Sequence, residues 1–224
     1  MNQSLHPYKV WDLPTRLCHW ALVLLLMAQW ASGQFGLLPI SSHLWLGYAL
    51  LVVIVFRILW GFVGSDSARF SHFLRGPAAV RAYLGRLGSD QPTRWPGHNP
   101  VGGWSTVLLL ALALVQAVTG LFAERWGVLA GPLVETVSRG TVRSLTDLHG
   151  LLHWLLMVVV LAHIAAAVWY RWHKGEDRIG PIFGRGRIDL PDAPVLRFAG
   201  TLRALVVLAL SLALVAAIAA RAAP

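Results

Sequence analysis

The chain has 224 residues and nine histidines, and the spacing of four of them suits metal coordination. His149 and His163 lie in one apolar run, 14 residues apart. On a helix that separation is ~21 Å of rise and about 40° of rotation. Both then occupy one face, one near each end of the run. His19 lies about one turn into the first apolar run and His43 opens the second. If the runs cross a bilayer in alternation, His19 shares the depth of His163, and His43 that of His149. Two cross-helix pairs follow. Each pair can clamp a flat macrocycle, with an imidazole nitrogen on either face of a central iron, as helical bundles commonly do. Two axial histidines leave no open coordination position, so the chemistry is electron transfer rather than oxygen binding. His153 is the rival ligand, ~40° from His149 and about 80° from His163 in the opposite sense. His149 aligns better. The bland reading of any single histidine here is an interhelical hydrogen bond.

The remaining histidines, His6, His72, His98 and His173, fall in polar segments and read as solvated. Among these, His98 is close to where a quinone headgroup could bind. Cofactor carboxylates need cations, and Arg16 and Arg57 are the candidates. Arg57 could equally snorkel to the interface. Cys18 beside His19 reads as a small buried apolar residue, and as the only cysteine it can form no internal disulfide. The tryptophans mostly stand near run ends, where interfacial anchoring accounts for them. Gly47 and Gly120 could allow close approach of a macrocycle or a helix.

These side chains need helices to carry them. Hydrophobic residues make up 56% of the chain and charged residues 13%, too little polar surface for a water-soluble globule. Five apolar runs stand out: Pro14–Ser32, His43–Phe62, Trp104–Phe122, Asp147–Tyr170 and Leu202–Ala220. Each must be helical, since unpaired backbone groups in lipid cost several kcal/mol. Asp12 or Thr15 can cap the first, with Pro14 in its first turn. It reads as a retained span and not a signal peptide. Ala78–Leu87 suits a short amphipathic surface helix, and Gly131–Leu145 a weakly amphipathic piece. The fold class expected is all-α: an integral membrane four-helix bundle (residues 1–187) with a linker and a further C-terminal transmembrane helix (188–224).

The net charge of +9 resides between apolar runs, so topology and anionic lipid account for it better than nucleic acid. Lys9, Arg16, Arg69, Arg75, Arg81, Arg86, Arg94 and the cations of 171–203 fall on one side. Arg125, Arg139, Arg143 and Arg221 fall on the other. The bias puts the N-terminus in the cytoplasm.

Several segments resemble the bacterial cytochrome b561 family, which includes cytochrome b subunits of nickel–iron hydrogenases. They are Val10-Trp-Asp-Leu-Pro-Thr-Arg-Leu-Cys-His-Trp20, His43-Leu-Trp-Leu-Gly-Tyr48, Phe56-Arg-Ile-Leu-Trp-Gly-Phe-Val-Gly64, Arg75-Gly-Pro77, Gly97-His-Asn-Pro-Val-Gly-Gly-Trp104, Leu148-His149 and Ala162-His163. The resemblance implies two haem b groups with axial ligands at His19, His43, His149 and His163. It implies electron exchange across a bacterial inner membrane between the quinone pool and a periplasmic redox protein, such as a cytochrome c or a dehydrogenase subunit. A homodimer is a further option. Gly150 departs from the pattern, standing where many relatives have an acid, and the fifth run lies outside the minimal core. Three other functions stay open: the membrane anchor of a multisubunit hydrogenase or dehydrogenase, a superoxide:quinone oxidoreductase, and a histidine-based metal or proton transporter. Almost no carboxylates lie in the runs, which weighs against the transporter.

Overall fold

A computed structural model describes residues 9–88, 95, 97–125, 127–185 and 195–221. His6, Arg94, Arg187 and the boundary expected at 187/188 fall outside these. Seven helices run in the order α1 (Leu13–Gly33), α2 (Ser41–Val63), α3 (Phe70–Phe73), α4 (Pro77–Gly85), α5 (Pro100–Gly120), α6 (Arg139–His173) and α7 (Thr201–Ala220). Between α5 and α6 lies a two-stranded hairpin, β1 (Glu124–Arg125) and β2 (Leu129–Ala130), paired antiparallel.

Local chemistry sets the helix starts. Asp12 caps α1 by accepting the backbone N–H of Thr15 at 2.8 Å, ahead of a first-turn proline. Asn99 caps α5 through the N–H of Gly102 at 2.6 Å, again before a proline. α5 therefore begins about one turn earlier than its apolar run. Ser138 caps α6 through Thr141 at 3.2 Å, so this helix extends two turns beyond the run that begins at Asp147. Its 35 residues span about 52 Å, longer than the ~30 Å of a bilayer's hydrocarbon core.

Five transmembrane runs were expected. Four helices, α2, α5, α6 and α7, are long and apolar enough to cross a membrane. α1 is as long as α5, but Arg16, His19, Gln29 and Ser32 dilute its apolarity. The surface helix expected at 78–87 is α4. The hairpin, whose turn includes Gly127 at φ 68°, was not expected, since two-residue strands leave no alternating pattern to read.

α2 is the central post, packed along α1, α5 and α7. Its Phe56 and Trp60 meet Cys18 of α1 and Val207 of α7. Its Leu50 and Ile54 meet Ala113 of α5, and its Leu51 meets Leu121 and Val215. The fifth apolar run is thus a helix packed beside the core. α6 packs along α5 instead, and it has no comparable seam with α1.

Two side chains read as peripheral in sequence are interior. Trp60 is fully buried and donates its indole N–H to Asp12 at 3.1 Å, so it anchors the core and not an interface. His98 is wedged between Trp11 and Phe73, with ring centroids 4.7 and 4.4 Å away. Its Nε2 lies 3.1 Å from the hydroxyl of Thr106. His72 and His173 do sit at the surface: His72 lies 3.9 Å from Asp66 and His173 stacks on Trp169.

Burial, with the charges of Arg57, His163 and Arg178, lowers His98 to about 3. The folded chain therefore binds fewer protons than the unfolded chain between that value and the ordinary histidine value of about 6.5. His98 contributes its stability above that window and loses it progressively as pH falls through it. His98→Phe is expected to flatten the loss of thermal stability between neutral pH and about pH 4, checked by melting both proteins in detergent across that range. Asp12→Ala removes a helix cap and leaves the Trp60 indole and the Ser65 hydroxyl without their acceptor. It should cost about 2–4 kcal/mol, read as a lowered melting temperature, with Asp12→Asn intermediate.

Candidate functional site

α1, α2, α5 and α6 converge at one end of the bundle around a cavity of ≈ 320 Å³. His43 and His149 enter it from α2 and α6. Their ring centroids are 6.4 Å apart and the ring planes cross at 84°. A metal–imidazole bond of about 2.0–2.1 Å places two rings on opposite sides of one metal roughly 6 Å apart, centroid to centroid. The separation of the two rings therefore matches that expected of a ligand pair.

Hydrogen bonds fix which nitrogen of each ring is bare. The hydroxyl of Ser32 donates to the Gln29 carbonyl at 3.1 Å. Its oxygen is left to accept from Nδ1–H of His43 at 3.0 Å. Nδ1 of His149 lies 2.9 Å from the Gln116 carbonyl, which can only accept, so Nδ1 carries the proton. The Gln116 amide nitrogen donates to Nε2 of His149 at 3.2 Å, so that ring nitrogen carries no proton. An N–H held by carbonyl or hydroxyl, with Nε2 bare, is the usual outer arrangement of a metal-ligating histidine. The residues fit the cofactor expected from the sequence.

Glycines make the room. A Cβ on Gly33 would lie 2.7 Å from Cε1 of His43, and one on Gly120 would lie 3.0 Å from Cε1 of His149. Gly47 instead faces the Gln29 side chain at 3.2 Å. His153 lines the same cavity, beside Trp30 at 6.3 Å, with a shielded Nε2 that has no partner among the described residues. It is on His149's face of α6, but His149 is the ring that opposes His43. Ser32, Gly33 and Gln116 were not singled out from sequence. Ser32 and Gly33 end α1 just before the loop to His43, and that proximity was the available signal.

At the other end, His19 on α1 and His163 on α6 lie within electrostatic reach of each other. Nδ1 of His19 is shielded and has no partner among the described residues, and His163 is exposed along α6. His98 is within electrostatic reach of His163 and of Arg57, which brings the Gly97–Trp104 segment to this end. Arg16 donates to the carbonyls of Ile182 and Phe183, both at 3.2 Å, and so pins the connection that follows α6. Arg57 is buried, donates to the Ala68 carbonyl at 3.4 Å and lies over the Phe70 ring. It does not snorkel. Among the described residues no group of three or more His, Cys, Asp or Glu side chains could hold a metal ion.

The family model described as prokaryotic cytochrome b561 matches residues 10–184. Similar proteins include the probable Ni/Fe-hydrogenase B-type cytochrome subunit of Azotobacter vinelandii, 25% identical over 220 residues, covering 83% of this chain and 90% of the relative. The protein of that name from Rhizobium leguminosarum bv. viciae is 27% identical, covering 71% and 80%. That from Cupriavidus necator is 24% identical, covering 75% and 81%. No solved structure matches the chain. The match takes in α1 to α6 with His19, His43, His149 and His163 and stops before α7, and the chain belongs to the prokaryotic cytochrome b561 family: it is a multi-pass membrane b-type cytochrome, and its prosthetic group is haem b.

Proposed function

We propose that the chain holds two haem b groups, one between His43 and His149 and one between His19 and His163. We propose further that it carries electrons between a hydrogenase-type partner on the outer face of the bacterial inner membrane and quinone in the bilayer. The observation that carries the reading is the opposed His43–His149 pair, 6.4 Å between centroids, with both Nδ1 atoms engaged. The named relatives are hydrogenase cytochrome subunits, and this supports a hydrogenase as the partner. The cation bias supports a cytoplasmic N-terminus, with α1 crossing alongside the four more apolar helices and the His43 end facing outward.

When bound, haem supplies reversible one-electron chemistry. The chain's residues do the rest. Ser32 and the Gln116 carbonyl hold the imidazole protons on Nδ1, which orients both rings and raises the basicity of Nε2. His43 with His149, and His19 with His163, would hold the groups, and paired imidazoles would suit them to electron transfer rather than oxygen binding. Leu26, Leu50, Ala117 and Leu121 line the cavity and keep water from the site.

The deciding measurement is a reduced-minus-oxidised visible spectrum with haem-to-chain stoichiometry on the purified protein. Two low-spin b haems per chain are expected, and a colourless protein would overturn the reading. His43→Ala and His149→Ala should each lose one of the two haems, whereas His153→Ala should keep both. Retention of both haems by His149→Ala with loss in His153→Ala would reassign the outer ligand. Ser32→Ala keeps the ligands but removes the acceptor for His43 Nδ1, and should weaken haem retention by about 10–100-fold, measured as haem transfer to apomyoglobin. Copurification of a hydrogenase subunit with the tagged chain from its native membrane tests the partner, and its consistent absence under mild solubilisation would count against it.

A further inference from the structure

Among the described residues, the cavity between His43 and His149 has one Lys or Arg in its wall, Arg125 of β1. The same residue lines a second, more open cavity of ≈ 550 Å³ above it, built from the α1–α2 loop and Val128. Arg125 is again the only Lys or Arg there among the described residues. Its guanidinium thus stands at the junction of an apolar chamber and a more open cavity, and its charge is felt at His43. It donates to the carbonyl of Gly33 at 2.5 Å, near the end of α1. It makes no ion pair among the described residues. The one acid lining the chamber, Glu124, is taken by Arg139 at 3.2 Å. One N–H group is therefore spent on a backbone carbonyl, and the remaining donors of a planar five-donor fork are free of carboxylate.

A haem is a flat apolar disc with two carboxylates on one edge. Burying the disc between His43 and His149 leaves those carboxylates to be paired or hydrated, since an isolated buried carboxylate is very costly. A guanidinium at the mouth provides bidentate, charge-assisted hydrogen bonds to a carboxylate. The geometry points to Arg125 as the residue that binds the carboxylate edge of the outer haem, a role for which Arg16 and Arg57 are placed at the wrong end of the bundle. This inference rests on the two-haem reading above. It has an electrostatic consequence. A fixed positive charge beside the site favours the reduced iron, so removing it should lower the midpoint potential of that haem and not of the other.

The experiment is a spectroelectrochemical titration of the full-length, haem-loaded chain, with haem content measured in parallel. Arg125→Gln keeps a hydrogen-bond donor for the Gly33 carbonyl but loses the charge. Arg125→Lys keeps the charge. Arg139→Gln removes the neighbouring exposed cation. The expected result is that one of the two haem potentials falls in Arg125→Gln, and that it is the component missing from His149→Ala. Arg125→Lys should stay near the parent, and Arg139→Gln should leave both potentials in place. Unchanged potentials in Arg125→Gln would overturn the assignment, as would a shift of the inner haem or an equal shift in Arg139→Gln. A fall in Arg125→Lys as large as in Arg125→Gln would also overturn it, because only the hydrogen-bond geometry would then matter. If His149→Ala itself retained two haems, the reading beneath would fail. If it lost one while Arg125→Gln shifted neither, only the role of Arg125 would.

Discussion

A single carboxylate, that of Asp12, ties the first helix to the rest of the bundle. It is almost wholly buried and accepts from the Thr15 backbone, the Trp60 indole and the Ser65 hydroxyl. These bonds join the start of α1, the end of α2 and the segment leading to α3. From Ser65 the chain of contacts continues: its oxygen accepts the backbone N–H of Ala199 at 2.9 Å. Next to it, Asp66 accepts the N–H of Arg197 at 2.9 Å, and the charge of Arg69 beside it helps hold this carboxyl below the usual range. The entry to α7 is thereby fastened to the same point. Buried polar atoms must be paired or they cost free energy, so this network permits only one axial position of α1 against α2. That position sets the depth of Arg16 and His19, which follow Asp12 by one and two turns.

The His43–His149 site is positioned by the opposite end of α1. Ser32 and Gly33 stand in its last turn, where helices leave carbonyls without intrahelical partners. Arg125 takes the Gly33 carbonyl, the Ser32 oxygen takes the His43 imidazole, and the missing side chain of Gly33 gives that ring its room. The fixed register of α1 is thus read out at both ends of the helix, with His19 on one and the partner of His43 on the other. A shift of one residue would rotate both by about 100°. It would disengage both sites together.

Much of this was legible from sequence because it is local. Helical period, with Asp12 and Pro14 at the start of α1, places the starts of α1, α2, α5 and α7 within about a turn, whereas α6 begins two turns before its apolar run, and the 14-residue interval on α6 aligns His149 with His163. What escaped was long-range. Nothing within a turn of Trp60 reveals that its indole meets an aspartate 48 residues earlier. His98 stands in a Gly-Asn-Pro context that reads as a solvated loop. It is covered because Trp11 and Phe73, remote in sequence, close over it. Arg57 could not be assigned because a cation near a helix end has the same sequence signature whether it reaches for water or for a buried carbonyl. α1 departs from the expected apolarity for a related reason: the polar groups that dilute it, His19, Gln29 and Ser32 among them, are those that build the sites.

The two ends are built by different means, and this bears on how they can work. At the His43 end the hydrogen bonds to His43 and His149 come from α1 and α5, so the ring orientations are set by the bundle itself, although the hairpin and the α1–α2 loop also line the cavity. At the His19 end the surroundings of His19 and His163 are completed by connecting segments. Arg16 is bound to residues 182–183, and His98 is brought in by the segment before α5. A ring held by helices is rigid, since moving it means repacking the core. A site closed by connections can open locally at lower cost, because such segments bury fewer apolar contacts. A partner that exchanges only electrons needs no opening, whereas a small carrier that must enter, take up charge and leave does. On the proposed reading, the rigid outer end therefore suits a docked redox protein, and the inner end, closed by connections, suits the exchange of quinone.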